Sequence, residues 1–194
     1  MNQRMSVSAV LAAAASVVLM AFSATASATV ITSPSGTLYT SSIHAESEGH
    51  VVFHAAGGKV ECNSTIAWGI QAHGSSITAT GAISTLTFTG CTNGWTMTVL
   101  KTGSIEIHTF GSNSDGGGTV TSTGTEFTMH NSFLGLDCIY TTNANDFGTL
   151  TGGKPATIHV NGVIARTGGS VFCGTSTTWT GSYKIPKPSE LLVD

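Results

Sequence analysis

The sequence predicts an all-β protein: an antiparallel β-sandwich, with a β-barrel as the alternative, that carries two disulfides. Three observations lead to this class. Apolar and polar residues alternate over runs of about four to seven residues, Val, Ile and Thr are abundant, and Gly-rich turns separate the runs. Such alternation is typical of antiparallel strands that bury one face and expose the other.

The alternating runs predict about a dozen short strands, joined mostly by hairpins. Asn93-Gly94 and Asn161-Gly162 are predicted turns between them, because both central residues of a type I′ hairpin need positive φ. The clearest runs are Thr85–Thr89, Trp95–Val99, Ile105–His108, Phe127–His130, Ile158–Val160 and Trp179–Ile185.

The N-terminus has the pattern of a cleavable export signal. One basic residue, Arg4, precedes the apolar run Val7–Phe22, and Ala26-Ser-Ala28 is a small-x-small cleavage site. Residues 1–28 are therefore predicted to be a signal peptide. No cysteine stands at the cleavage point and no later run is long enough to span a bilayer, so neither a lipid anchor nor a transmembrane anchor is expected.

The remaining chain, residues 29–194, has the size of one secreted β domain. Its segments 50–110 and 125–185 share an order of cysteine, strand, cysteine and tryptophan, which suggests two related halves. Without Arg4, six basic residues face ten acidic ones, scattered singly. This weak acidity argues against nucleic acid or an anionic membrane as partner.

The four cysteines predict two disulfides, since an even count in an exported chain usually forms bridges. Three connectivities are possible. The spacing favours Cys62 with Cys91 and Cys138 with Cys173, because each pair closes a loop of similar length. A zinc site is disfavoured, because no two cysteines have the C-x₂₋₄-C spacing.

Two strand segments carry the best candidates for a metal site. Glu106 and His108 share one face of their strand, and Glu126 and His130 share one face of theirs. If these strands paired, the four side chains could bind zinc or copper. Solvated surface residues explain the same pattern, so we expect no cofactor.

No residue set predicts a reaction. There is no G-x-S-x-G motif, and the carboxylates are scattered without an evident pair. Trp95 and Trp179 alternate in phase with apolar neighbours, which favours core packing over sugar stacking; Trp68 fits either role. We therefore expect a protein that is not an enzyme.

The cysteine-centred motifs resemble those of known secreted bacterial proteins. Cys62–Gly69 (CNSTIAWG) and Ile83–Cys91 (ISTLTFTGC) are similar to a motif of the PraB family of pseudomonad surface proteins, associated with alkane oxidation and biofilm adhesion. Over the longer range 50–194, the chain resembles two-disulfide actinobacterial secreted proteins of unassigned function. The resemblance implies a surface or matrix protein and brings no catalytic residues with it.

The expected function is thus that of a secreted, noncatalytic protein of the cell surface or extracellular matrix. Adhesion, self-association or the binding of a glycan or apolar ligand all suit its uncharged, Thr-rich faces. The alternative is a secreted metal-binding or carbohydrate-active enzyme.

Overall fold

The computed structural model describes residues 31–33, 35, 37–55, 58–72, 78–110, 116–188 and 190–193. The predicted signal peptide, residues 1–28, lies outside them. A short 3-10 helix, Val171–Cys173, separates the tenth and eleventh strands. The strands are β1 Ile31–Thr32, β2 Ser42–Ser47, β3 Val51–Ala55, β4 Gly58–Ala72, β5 Thr78–Thr89, β6 Trp95–Lys101, β7 Ser104–Thr109, β8 Gly118–Asn131, β9 Leu136–Thr151, β10 Ala156–Gly169, β11 Ser176–Lys187 and β12 Leu192–Val193.

Antiparallel pairing runs from strand to strand and returns to its starting point. The order is β10, β9, β8, β7, β5, β4, β2 and β11, and β11 pairs in turn with β10. β1 and β12 form a separate two-stranded sheet. The predicted all-β, antiparallel class is confirmed. The choice between a sandwich and a barrel stays a prediction.

Two strands of this circuit are interrupted. β2 and β3 follow one another along β4, and the break between them includes Gly49, whose φ is 76°. β6 and β7 follow one another along β8 in the same way. The long strands β4 and β8 therefore each have two short partners on one side.

A seam without strand pairing lies between β5 and β6. The first part of β5 pairs with β7, but Ser84–Thr89 and Trp95–Lys101, all of them described, share no ladder. A depression of about 400 Å³ follows this seam. Its lining residues are Leu86, Thr87, Phe88, Thr89, Met97, Thr98 and Val99.

The core is centred on a cluster of aromatic rings. Trp179 of β11 lies in the middle, with ring centroids 4.9 to 6.1 Å from four phenylalanines contributed by different strands. Trp68 and Trp95 are buried as well. The predicted core packing of Trp95 and Trp179 is confirmed, and Trp68 joins them. The four rings around Trp179 are Phe53, Phe88, Phe127 and Phe147.

Both predicted disulfides are confirmed, Cys62–Cys91 and Cys138–Cys173. The first joins β4 to the segment after β5, and the second joins β9 to the segment after β10. The turns around them, between β5 and β6, β8 and β9, and β10 and β11, lie at one end of the circuit, which we call the disulfide end. In the part of the chain that the structure describes, no helix has the length and apolar character needed to cross a membrane.

One of the two predicted Asn-Gly turns is wrong. Asn93 and Gly94 do form a turn, with φ of 58° and 72°. Asn161 and Gly162, however, lie inside β10, which continues to residue 169. Position 162 has no room for a larger residue, because a Cβ there would lie 2.4 Å from the ring of Phe147.

Candidate functional site

The four candidate metal ligands lie in two separate places. Glu106 and His108 are on β7, and His108 pairs with Thr119 of β8. Glu126 and His130 are further along β8, where β6 is the neighbour. Thr119 and His130 are eleven residues apart on one strand, about 36 Å at 3.3 Å per residue. The strand pairing does not bring the four side chains together.

Each candidate ligand makes a local polar contact instead. Among the described residues, no three His, Cys, Asp or Glu side chains are grouped so that they could hold a metal ion. The observed contacts are Glu106 Oε2 with His108 Nε2 at 3.8 Å, Glu126 Oε2 with Lys101 Nζ at 3.3 Å, and His130 Nδ1 with Asp137 Oδ1 at 2.8 Å.

Two buried tyrosines have structural hydrogen bonds. The Tyr183 hydroxyl donates to Ser64 Oγ at 2.9 Å, and the Tyr140 hydroxyl donates to the Cys173 carbonyl at 2.7 Å. Burial raises the pKa of both phenols above the ordinary value, so both stay protonated at neutral pH. The side chain of Ser64 is itself buried, next to Tyr183.

The outer face carries a continuous row of uncharged polar side chains. Six residues on six neighbouring strands are opposite one another in register, and the row includes two imidazoles. His159 Nδ1 lies 2.9 Å from Ser182 Oγ, and His108 Nδ1 lies 3.3 Å from Thr78 Oγ1. In order, the row is Thr78, His108, Thr119, Thr149, His159 and Ser182.

A depression of about 460 Å³ interrupts this face in the middle of the row. A bulge in β9 lies next to it: Val120 pairs with Gly148 and Thr121 with Asp146, and the ring of Phe147 between them packs inward against Trp179. The volume falls within the range of small-molecule sites. The lining residues are Thr119, Gly148, Thr149, His159 and Asn161.

An exposed aromatic ring lies close to the row, next to its His108 position. Phe110 follows β7, two residues after His108 and therefore on the same outer face. Its amide donates to the Gly117 carbonyl at 3.1 Å, and its ring covers Gly117, where a Cβ would lie 3.4 Å away. The ring is 50% exposed. We call Phe110 and the residues lining the depression the outer site.

The outer site is suited to hydrogen bonding and stacking. Its lining includes two hydroxyls, an amide and an imidazole, which both donate and accept. Among the residues that the structure describes, this lining holds no charged carboxylate or ammonium group. A neutral polyhydroxylated ligand offers groups that match this set, and its apolar ring faces match the Phe110 ring.

Few features of the sequence predict the outer site. The alternation of Ile158, His159 and Val160 correctly places His159 on the outer face. Phe110 stands at the end of an alternating run beside glycines, which is a weak signal for an exposed ring.

No family model, no curated protein and no solved structure matches this chain.

Proposed function

We propose that this chain is a secreted, noncatalytic protein of the cell surface or extracellular matrix that adheres by binding neutral glycan chains. The observation that carries the proposal is the exposed Phe110 ring, two residues from His108 of a polar row whose depression is lined by hydroxyl, amide and imidazole groups. The row of uncharged side chains extends the contact surface on both sides of that depression. An extended polymer would follow this row across several strands.

Export is supported by the covalent structure as well as by the predicted signal peptide. Two disulfides, with no free cysteine among the described residues, suit an oxidising compartment outside the cytoplasm. A neutral polymer offers no charged group with which an acidic or basic side chain could form an ion pair. Recognition of a neutral polymer therefore depends on hydrogen bonds and on ring stacking.

The proposal is tested with immobilised neutral polysaccharides, such as dextran, chitin and arabinogalactan, and the protein purified from culture medium. At least one of these polymers is expected to retain the protein. Phe110→Ala is expected to lower the affinity about tenfold, because one stacked aromatic ring is lost. His159→Ala removes a polar group from the depression and is expected to weaken binding as well.

Two matched variants separate the outer site from general effects. Leu100→Ala removes an apolar residue of β6 that is exposed to the same extent as Phe110, and His54→Ala removes an exposed histidine of β3. Both are expected to bind as the unmodified protein does. Retention that is unchanged in Phe110→Ala, or no retention on any neutral polymer, would rule out glycan binding at the outer site.

A further inference from the structure

Four exposed apolar side chains lie on two neighbouring loops at the disulfide end. Phe133, in the β8–β9 turn, is 83% exposed, and Leu134 beside it is also exposed. Phe172, in the 3-10 helix between β10 and β11, is 74% exposed, and Val171 beside it is exposed as well. Both loops flank the start of β9, which pairs with β8 and with β10. We call these four side chains the apolar end.

Hydrogen bonds and packing fix the first loop. Asn131 is buried, and its Oδ1 accepts from the amides of Phe133 at 3.0 Å and Leu134 at 2.9 Å. One side of the Phe133 ring rests on Gly94, where a Cβ would lie 2.3 Å from the ring. The backbone of this loop is therefore well defined, and the Phe133 ring packs on Gly94 with most of its surface facing solvent.

The second loop is fixed by the Cys138–Cys173 disulfide and by its own hydrogen bonds. Ser170 Oγ accepts from the Phe172 amide at 3.3 Å, and the Arg166 guanidinium donates to the Ser170 carbonyl. Because both loops are already ordered, a partner that covers them loses little conformational entropy on binding.

The size of the apolar end fits a small protein interface. With about 200 Å² for a phenylalanine side chain, the exposed parts of Phe133 and Phe172 amount to about 300 Å². Leu134 and Val171 add to this area. A small specific interface buries about 500 Å² on each partner, and the summed area of the four side chains approaches this value. Exposed apolar patches of this size on monomeric proteins are often functional.

The charge distribution favours a second copy over a membrane. The segments 132–135 and 170–173 contain no charged residue, and the chain has ten acidic against seven basic residues. Neither loop therefore offers the lysines and arginines that attract anionic lipids. One acidic residue, Asp137, and one basic residue, Arg166, lie next to the loops. Two copies that face each other therefore bring together equal numbers of positive and negative charges at this end.

We propose that two copies of this chain pair through the apolar end, in an isologous dimer centred on Phe133 and Phe172. The dimer does not depend on glycan binding, because the outer site is remote from the contact. Thr119 and Asn131 are twelve residues apart on β8, about 40 Å of strand. Pairing therefore leaves both outer sites of the dimer free.

The test is sedimentation equilibrium of the purified secreted protein, with both disulfides formed, over a wide range of concentrations. We expect a reversible monomer–dimer equilibrium. The double variant Phe133→Ser/Phe172→Ser is expected to raise the dimer dissociation constant about a hundredfold, as for the loss of two interface anchors. The matched control is Val163→Ser, an exposed apolar residue on the outer face of β10, which leaves the equilibrium unchanged.

The dimer is overturned if the protein stays monomeric at all concentrations, or if the double variant dimerises as well as the unmodified protein. It is also overturned if the protein is a monomer that cosediments with phosphatidylcholine vesicles and the double variant does not. The last outcome assigns the apolar end to a lipid surface. Polysaccharide binding is measured on the double variant in parallel, so that a failed dimer and a failed outer site give different results.

Discussion

Replacing Tyr183 by phenylalanine tests how the core is held together across the strand circuit. Tyr183 is on β11 and Ser64 is on β4, and β2 lies between these strands. The Tyr183 hydroxyl donates to Ser64 Oγ at 2.9 Å, and Ser47 Oγ of β2 accepts from the Ser64 amide at 3.0 Å. One small polar network therefore links three neighbouring strands inside the core.

Tyr183→Phe removes one hydroxyl and leaves Ser64 Oγ buried without that donor. A buried polar group that loses its partner costs about 1 to 3 kcal/mol. We expect the free energy of unfolding at pH 7 to fall by about 2 kcal/mol. Ser64→Ala removes the other partner, and the double variant is expected to cost less than the sum of the two single changes, because both single variants disrupt the same bond.

The pH dependence gives a second, independent measure. Burial raises the pKa of Tyr183 in the folded protein above its ordinary value of about 10. The folded state thus favours the protonated phenol, and this contribution is complete below pH 10 and declines as the pH rises above it. One such proton gives a slope of about 1.4 kcal/mol per pH unit. Tyr183→Phe lacks this contribution to the slope.

The assay is equilibrium unfolding in urea, followed by tryptophan fluorescence at pH 7 and at several values above pH 10. Burial also raises the pKa of Tyr39 and Tyr140, but these residues affect both proteins equally. The difference between the two curves therefore isolates Tyr183. Equal stability at pH 7, or the same slope above pH 10 in both proteins, would refute the assignment of this hydroxyl to the core network.

Three further predictions concern the covalent structure and the packing. Replacing Cys138 and Cys173 by alanine opens a loop with a sequence separation of 35 and should lower the unfolding free energy by about 4 kcal/mol, measured by urea unfolding; a loss below about 1 kcal/mol would contradict this. Gly162→Ala should lower the unfolding free energy by about 1 to 3 kcal/mol, because the added Cβ overlaps the Phe147 ring. The control is Gly69→Ala, where a Cβ would have no atom within 4 Å, and it should lower the unfolding free energy less in the same assay. Intact mass spectrometry of the secreted protein should show cleavage after Ala28, and a retained leader would contradict the predicted signal peptide.

Local sequence patterns predicted the strands well because each pattern depends on a few neighbouring residues. The alternation of Trp95, Met97 and Val99 predicted a strand that is observed as β6. The same reasoning placed Asn161 and Gly162 in a turn, since Asn-Gly is a strong hairpin signal. Packing across the sheet outweighed that local preference, because the Phe147 ring needs the space over Gly162.

The arrangement of sites depends on which strands pair and in what register, and a single strand does not contain this information. Glu106 and His108 share a face, as predicted, and so do Glu126 and His130. β7, which carries Glu106 and His108, pairs with the first part of β8, whereas Glu126 and His130 lie in the later part of β8, which pairs with β6. The outer site was missed for a related reason: its residues come from three strands and lie next to a bulge at Phe147, and no local pattern marks that bulge.

The seam between β5 and β6 has a consequence for how the molecule opens. Elsewhere in the circuit, separating two neighbouring strands breaks a ladder of backbone hydrogen bonds; at the seam it separates side chains alone. The amide hydrogens of Ser84–Thr89 and Trp95–Lys101 that point toward the seam should therefore exchange through local fluctuations well before global unfolding, whereas those in the ladders with β4 and β8 should be protected. The Cys62–Cys91 disulfide restrains this motion, since Cys91 lies in the turn where the two strands meet. Reduction would convert a confined fluctuation into exposed strand edges, which are the surfaces from which uncontrolled aggregation begins.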